Sequence, residues 1–369
     1  MSFSTRKIDF FHPYIIPVAI LIFLVMGYIG SFNYRFENPL NTQTILTIIF
    51  SAALFAIAAF ITSKKFTIEK TKEINFLSEK ILLIFIGIAL VLQSLNMVLL
   101  GGIPLFNSVL KANATTNLWR VAYPLFLILI NILIAKYYNR KYLLLVLLGA
   151  LIFGLNGYRT SVIGILVSVF ITMYYIGKIS RKFGIIFVII IALGGLGVGY
   201  IASQSIATQT WTLNPVELVF YRAAFTQEVF EKIIPLAGTT HGHILSMIFS
   251  SGSPRSFIGN YVLHYDVCLT STMFGPVMLD FGYIGLTIQM LFMGTFIKII
   301  HTFAKKGIGI GIYSIILTHT LIWIETGPTD IMIWFLYLLG LILIILELKK
   351  EWRHVYVNFE IFQVLWFFR

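Results

Sequence analysis

Runs of about 18 or more apolar residues recur along the whole chain, and no other feature narrows its folding choices so far. As a helix, a run of that length crosses the hydrocarbon core of a bilayer. The 369 residues are 58% hydrophobic and 11% charged, whereas a soluble domain carries about 25% charged residues. So few charges cannot cover a water-facing surface. Ten candidate spans follow, roughly 13–31, 43–62, 81–100, 119–137, 142–157, 161–177, 184–204, 275–299, 308–324 and 331–348, the fifth and sixth being short. The expected fold is all-α: a polytopic integral membrane protein with about ten transmembrane helices and one long, partly helical outer loop. It divides into an N-terminal bundle of about seven helices (1–204), an extracytoplasmic loop (205–274), about three C-terminal helices (275–348) and a cytoplasmic tail (349–369). The first run lacks a small-residue cleavage site and reads as a retained helix. The lone cysteine, Cys268, can form neither an intrachain disulfide nor a cysteine-based zinc site.

The net charge of +12 raises the question of nucleic acid, but its distribution answers against it. With the N-terminus placed in the cytoplasm, only Arg35, Lys111, Arg120, Arg159, Arg222, Lys232 and Arg255 of the 27 basic residues fall outside. The others lie in inner connections, as the positive-inside rule requires, and face the anionic inner leaflet. An even span count then puts both termini inside.

The 205–274 connection is too long to be featureless. Asn214-Pro215-Val216-Glu217 reads as a helix start, with Asn as cap, Pro in the first turn and Glu reaching back. The helix runs to about Ile234. On its wheel Glu217, Ala224, Glu228 and Glu231 share one side, and Arg222 falls opposite, beside Val219, Val229 and Ile233. Such an arginine either snorkels at the bilayer surface or is held over a buried anion. Three of the seven histidines, His241, His243 and His264, lie in the same segment, with Asp266 nearby. A His-x-His pair supplies too few ligands for a metal site, and no acidic or cysteine set has the spacing to complete one.

Arg159 stands at the tight junction of the fifth and sixth spans, where a charge faces a protein interior or a wet cavity more readily than lipid. Asp280 begins the eighth span and is expected to pair with a nearby arginine. Glu325 and Asp330 bracket Gly327-Pro328 in the last outer turn and read as solvated, and His319 as a satisfied packing histidine. Arginines on one outer face suit phosphate, which their planar fork grips in pairs, and they can stabilise a pyrophosphate leaving group without a metal. A His or Asp could deprotonate an attacking hydroxyl. An anion transporter would also gather arginines.

Three stretches carry a resemblance to a known family: Gly101-Gly102-Ile103-Pro104-Leu105-Phe106, Gly157-Tyr158-Arg159-Thr160-Ser161, and Ser271-Thr272-Met273-Phe274-Gly275 with Asp280-Phe281-Gly282-Tyr283-Ile284-Gly285. With the long loop between two late spans, the chain resembles the Wzy-type O-antigen, or oligosaccharide repeat-unit, polymerases and their archaeal relatives. The resemblance implies a glycosyltransferase that joins lipid-linked repeat units on the outer face of the membrane and releases polyprenyl diphosphate. It implies no cofactor, no metal and no nucleotide sugar. Its partners would be polyprenyl-diphosphate-linked oligosaccharides, the bilayer, a flippase and a chain-length regulator, with no nucleic acid. Arg159 matches the family's arginine after the fifth span, and Arg222 and Arg255 match as long-loop arginines, together a diphosphate-binding set. His264, Asp266 and His241 are the catalytic candidates, with Asp280 in support. His264 precedes Gly275 by eleven positions, a spacing similar to that of the related O-antigen ligases, although Tyr265 stands where ligases prefer a small polar residue. A lipid-linked oligosaccharide flippase or anion transporter is the competing class, against which stand the lack of a clear internal repeat and the placement of charges at helix ends.

Overall fold

A computed structural model describes residues 9–32, 36, 38–65, 78–180, 182–187, 189–190, 197, 200, 213–250, 252–265, 268–304, 307–329, 331, 334–343 and 345. Among these the chain is helical and contains no strand. The helices are α1 (Ile15–Gly30), α2 (Thr42–Lys65), α3 (Glu79–Leu99), α4 (Ser108–Ala112), α5 (Asn117–Tyr137), α6 (Tyr142–Gly154), α7 (Arg159–Tyr175), α8 (Pro215–Ile233), α9 (His243–Ile248), α10 (Pro254–Leu263), α11 (Gly275–Phe303), α12 (Gly307–Thr326) and α13 (Trp334–Leu343). Five of them, α2, α3, α5, α11 and α12, are long and apolar enough to cross a membrane by length and composition; α1, α6, α7 and α13 are shorter apolar helices. Most of the expected seventh span, part of the tenth and the 349–369 tail lie outside the described residues.

Helix is the form such runs take, because a backbone group in lipid must find its partner within its own segment. The starts are set locally. Ser78 Oγ accepts from Ile81 N, and Thr116 Oγ1 accepts from Trp119 N, at the heads of α3 and α5. Apolar side chains such as Val98, Leu144 and Ile284 stand more than 65% exposed on the helix exteriors. On a soluble protein that would be an aggregation-prone surface; on a membrane helix it faces lipid.

The most enclosed helix is α12, which packs against α5, α7 and α11. Around it α11 lies along α2, and α3 lies along α5. Close approach relies on small residues, the usual means where water gives no drive for helices to associate. A Cβ on Gly294 would strike the Phe55 carbonyl, and one on Gly311 would come within 3.3 Å of the Asn131 backbone. Polar side chains cross between helices as well: Asn131 Nδ2 donates to Ser168 Oγ at 2.9 Å, and Thr172 Oγ1 donates to Asn131 Oδ1 at 2.7 Å, tying α5 to α7.

The 205–274 segment differs from a solvated loop. The capping box at Asn214 is present, and α8 ends at Ile233 before a 3₁₀ turn. However, α8 lies along α1, with Gly30 beneath the Phe220 carbonyl and Gln227 Nε2 donating to Phe23 O at 2.6 Å. Ala224 is fully buried. Glu231, on the wheel's polar side, accepts from Asn41 N at 2.8 Å and Thr44 Oγ1 at 3.2 Å, so it satisfies the first turn of α2. The wheel located the polar face correctly but not what covers it, because the glycines of α1 admit a second helix there.

At the end of α7 remote from Arg159, residues 9–12 are clasped by three helices. Asp9 bonds His301 Nε2 at 2.9 Å and the Tyr175 hydroxyl at 3.1 Å; Tyr313 donates to the Phe11 carbonyl; and Lys298 Nζ lies 2.8 Å from His12 Nε2. Burial, together with the charges of Lys298 and His301, holds the pKa of His12 down at about 4, below its ordinary 6.5. Burial alone would raise Asp9, but the His301 contact and the bonds from Phe11 and Tyr175 outweigh it and hold Asp9 below its usual value. Both groups bind protons less readily folded than unfolded, so their stabilisation is complete above the ordinary histidine pKa of 6.5. The His12 part is lost as pH falls from there toward 4, and the Asp9 part only as pH falls through 3.8 and below. The melting temperature of the purified protein should therefore fall by several degrees between about pH 7 and about pH 5, and His12→Gln should flatten that fall. An unchanged slope in the variant would exclude His12 as its source.

Candidate functional site

The turn between α6 and α7 is fixed from three directions. Leu105 N donates to Leu155 O at 2.8 Å, Gln93 Nε2 to Asn156 Oδ1 at 2.8 Å, and the Tyr158 hydroxyl to Lys111 O at 2.7 Å. Gly157 takes φ +75°, and a Cβ there would sit 3.3 Å from Leu105 Cα and Lys111 Cδ. Only glycine meets both demands without strain. The structure thus presses two of the three family-like stretches, 101–106 and 157–161, against each other.

That turn delivers Arg159 as the first residue of α7. A cation is disfavoured at a helix N-terminus, so local helix stability does not account for it. Its guanidinium bonds Glu325 Oε1, in the last turn of α12. Arg222, from α8, reaches the same oxygen at 3.3 Å and Thr270 Oγ1 at 3.4 Å. Arg222 therefore does not snorkel; it holds an anion. The side chains of Arg159, Arg222 and Glu325 are 25%, 34% and 24% exposed, so the group is both sheltered and reachable.

Two further cations attend. Arg255, in the first turn of α10, donates from Nε to Thr329 Oγ1 at 3.0 Å, and its carbonyl accepts from Leu269 N at 3.1 Å. Burial raises the pKa of Tyr158 and the charge of Arg255 counters it, which places Arg255 within electrostatic reach of the α7 turn. Lys111 has its pKa lowered, by burial first and then by repulsion from Arg159 and Arg222. Four cations from four segments gather at one end of the bundle, and two of them share one carboxylate. Among the described residues, no three His, Cys, Asp or Glu side chains converge as a metal-binding set.

Asp280 takes a role other than the expected pairing with an arginine. It accepts from Ile244 N at 3.0 Å, Leu245 N at 2.7 Å and Thr240 Oγ1 at 2.5 Å, closing the first turn of α9. Gly282, at φ 59° and ψ −153°, breaks α11 just beyond it. The break frees the carbonyls of Met278 and Leu279, which accept from Gly238 N at 2.9 Å and Thr240 N at 3.2 Å. The third family-like stretch is therefore a joint that ties the 238–248 segment to α11.

The histidines lie elsewhere. His264 caps α10 in a left-handed conformation and lines an open cleft with Lys232, Pro235, Leu236, Asn260, Tyr261 and Val262. Arg255 is at the other end of the same helix, roughly 13 Å away along the axis. His241 is exposed in the turn before α9. Asp266 and Asp330 lie outside the described residues. His319 departs from a satisfied packing histidine: it is buried against Tyr123, and neither ring nitrogen has a hydrogen-bond partner. Its neighbours on α5 and α7 offer it an aromatic face and a glycine. Sequence reasoning missed Glu325 and Lys111 as members of the cation group. The available signal was a carboxylate two residues before Gly327-Pro328, since α12 runs on to Thr326 and carries Glu325 in its last turn.

Fold and composition define a multi-pass helical membrane protein. The chain belongs to the O-antigen polymerase family: the family model described as "Putative O-antigen polymerase" matches residues 9–337. It is 28% identical over 336 residues to a Methanocaldococcus jannaschii protein described as "Uncharacterized protein MJ0419", covering 85% of this chain and 90% of that one. It is 29% identical over 353 residues to "Uncharacterized protein MJ0420" of the same organism, covering 92% and 81%. No solved structure matches.

Proposed function

We propose that the protein polymerises lipid-linked oligosaccharide repeat units. It transfers a glycan from a polyprenyl-diphosphate carrier to a sugar of another lipid-linked unit, on the outer face of a membrane whose inner side holds both termini. The observation that carries this reading is the gathering of Arg159, Arg222, Arg255 and Lys111 at one end of the bundle, two of them on one carboxylate. A diphosphate brings the negative charge that this surplus of cations attracts, and guanidinium forks match its oxygens. The leaving diphosphate gains negative charge as the sugar–oxygen bond breaks, and preorganised cations stabilise that change most. The scheme needs neither a metal nor a nucleotide sugar. The exposed apolar flanks hold the lipid tail, and the cleft lined by His264, Asn260 and Tyr261 suits a sugar chain better than a proton transfer at the arginines. A flippase would deliver the units, and a chain-length regulator would stop the polymer.

Glycan profiling of a deletion strain tests the reading. Single repeat units in place of long chains are expected. Long chains left on their lipid carrier would indicate a ligase, units trapped on the inner face a flippase, and an unchanged profile would sink all three.

A further inference from the structure

Glu325 is the one member of the cation group whose charge opposes the group's purpose. If the site existed only to hold a diphosphate, a carboxylate there would weaken it, because it occupies the same guanidinium donors the phosphate oxygens need. Both Arg159 and Arg222 bond the same oxygen, Oε1. The side chain comes from the last turn of α12, just ahead of a glycine–proline turn. Gly327, at φ +72°, seats that turn against the Thr272 carbonyl.

We infer that Glu325 is a tethered stand-in for the diphosphate and becomes the proton acceptor of the transfer once the donor displaces it. The inference rests on the diphosphate reading of the arginines. In the empty site Glu325 keeps two like-charged guanidiniums together, at a separation set by a single oxygen. An arriving diphosphate takes over their forks, and Glu325 swings free beside the bond to be broken. A carboxylate bonded to two guanidiniums is a poor base, because its charge is already spent. The same carboxylate beside a bound diphosphate recovers its basicity, so the base is armed only when the donor is in place. The step balances. The acceptor hydroxyl oxygen forms the new bond to the anomeric carbon, and its proton passes to the Glu325 carboxylate. The bond from that carbon to the diphosphate oxygen breaks, and the electron pair leaves with the diphosphate. Premature hydrolysis of an idle donor is limited too, since the carboxylate is engaged until the phosphates compete it away.

The test uses the full chain in lipid nanodiscs, with farnesyl diphosphate as the binding probe and a lipid-linked repeat unit as substrate. Glu325→Gln should bind farnesyl diphosphate roughly tenfold more tightly than the wild type, because an internal competitor for charge-assisted bonds is gone. The same variant should extend chains at about one-hundredth of the wild-type rate or less. Glu325→Asp, which keeps a carboxylate on a shorter arm, should recover part of that rate and retain the low-pH limb of the rate profile. Unchanged or weaker binding by the Gln variant overturns the stand-in role. Equal rates for the Gln and Asp variants, or a low-pH limb that survives in the Gln variant, overturn the proton-accepting role. If the Gln variant does not fold, the Asp variant decides alone: a rate identical to wild type, or loss of the low-pH limb, would overturn the proposal. A wild-type protein that ignores farnesyl diphosphate, or an Arg159→Ala variant that binds it equally well, would instead sink the diphosphate reading itself.

Discussion

Arg159→Ala should cut chain extension by about a hundredfold or more while the protein still inserts and melts near the wild-type temperature. The two halves of that expectation have separate grounds. The rate falls because Arg159 is held by the Gly157 turn and the 101–106 stretch to aim at the point where Arg222 also arrives. Removing one of two convergent donors to a developing charge costs far more in the transition state than in the resting protein. Stability changes little because Glu325 keeps its bond to Arg222. The ion pair is also a quarter exposed, and pairs that open to solvent contribute only about 0–1 kcal/mol. Loss of a cation from a helix N-terminus even returns a few tenths of a kcal/mol. Arg159→Lys separates charge from geometry. A lysine keeps the charge but not the fork, so its rate should fall between those of Arg and Ala. Full activity in the alanine variant would remove the cation group from the mechanism.

Much of this architecture was legible in the sequence, because it depends on near neighbours. Apolar runs marked the helices, Asn214-Pro215-Val216-Glu217 marked the start of α8, and the short gap between the fifth and sixth spans marked the tight junction at Arg159. The face of α8 that carries Arg222 was legible as well. What it faces was not. Glu325 lies 166 residues from Arg159 and 103 from Arg222 in sequence, and nothing in the local pattern of either arginine names its partner. Glu231 illustrates the same limit: placed on a polar face by periodicity, it proves to cap a helix that begins nearly two hundred residues earlier. Asp280 shows a subtler one. An acidic residue amid many arginines suggests an ion pair, yet backbone N–H groups at the start of a short helix compete for the same oxygens and here they win. The histidines drew attention because histidine is the common general base, but residue type alone does not bring a side chain to the arginines.

Asp280→Ala should destabilise the protein by roughly 3–5 kcal/mol, the cost of stripping a buried, hydrogen-bonded charge from the groups it satisfies. The carboxylate is 3% exposed and accepts from two backbone N–H groups and one hydroxyl. Alanine leaves all three donors without a partner in a place water scarcely reaches. Asparagine keeps one acceptor oxygen but not the charge, so Asp280→Asn should cost less, about 1–3 kcal/mol. The damage should be local before it is global. The 238–248 segment is fastened to α11 by these bonds and by the carbonyls that the break at Gly282 frees, so its backbone should become open to protease in the alanine variant before the rest of the bundle unfolds. Limited proteolysis against thermal melting reads both. A variant that melts like the wild type and resists cleavage there would show that Asp280 does not hold the joint. The contrast with Arg159 is the informative part: one buried carboxylate is expected to fail through the fold, one half-sheltered arginine through the chemistry, and a protein in which both failed the same way would have no distinct site at its arginine end.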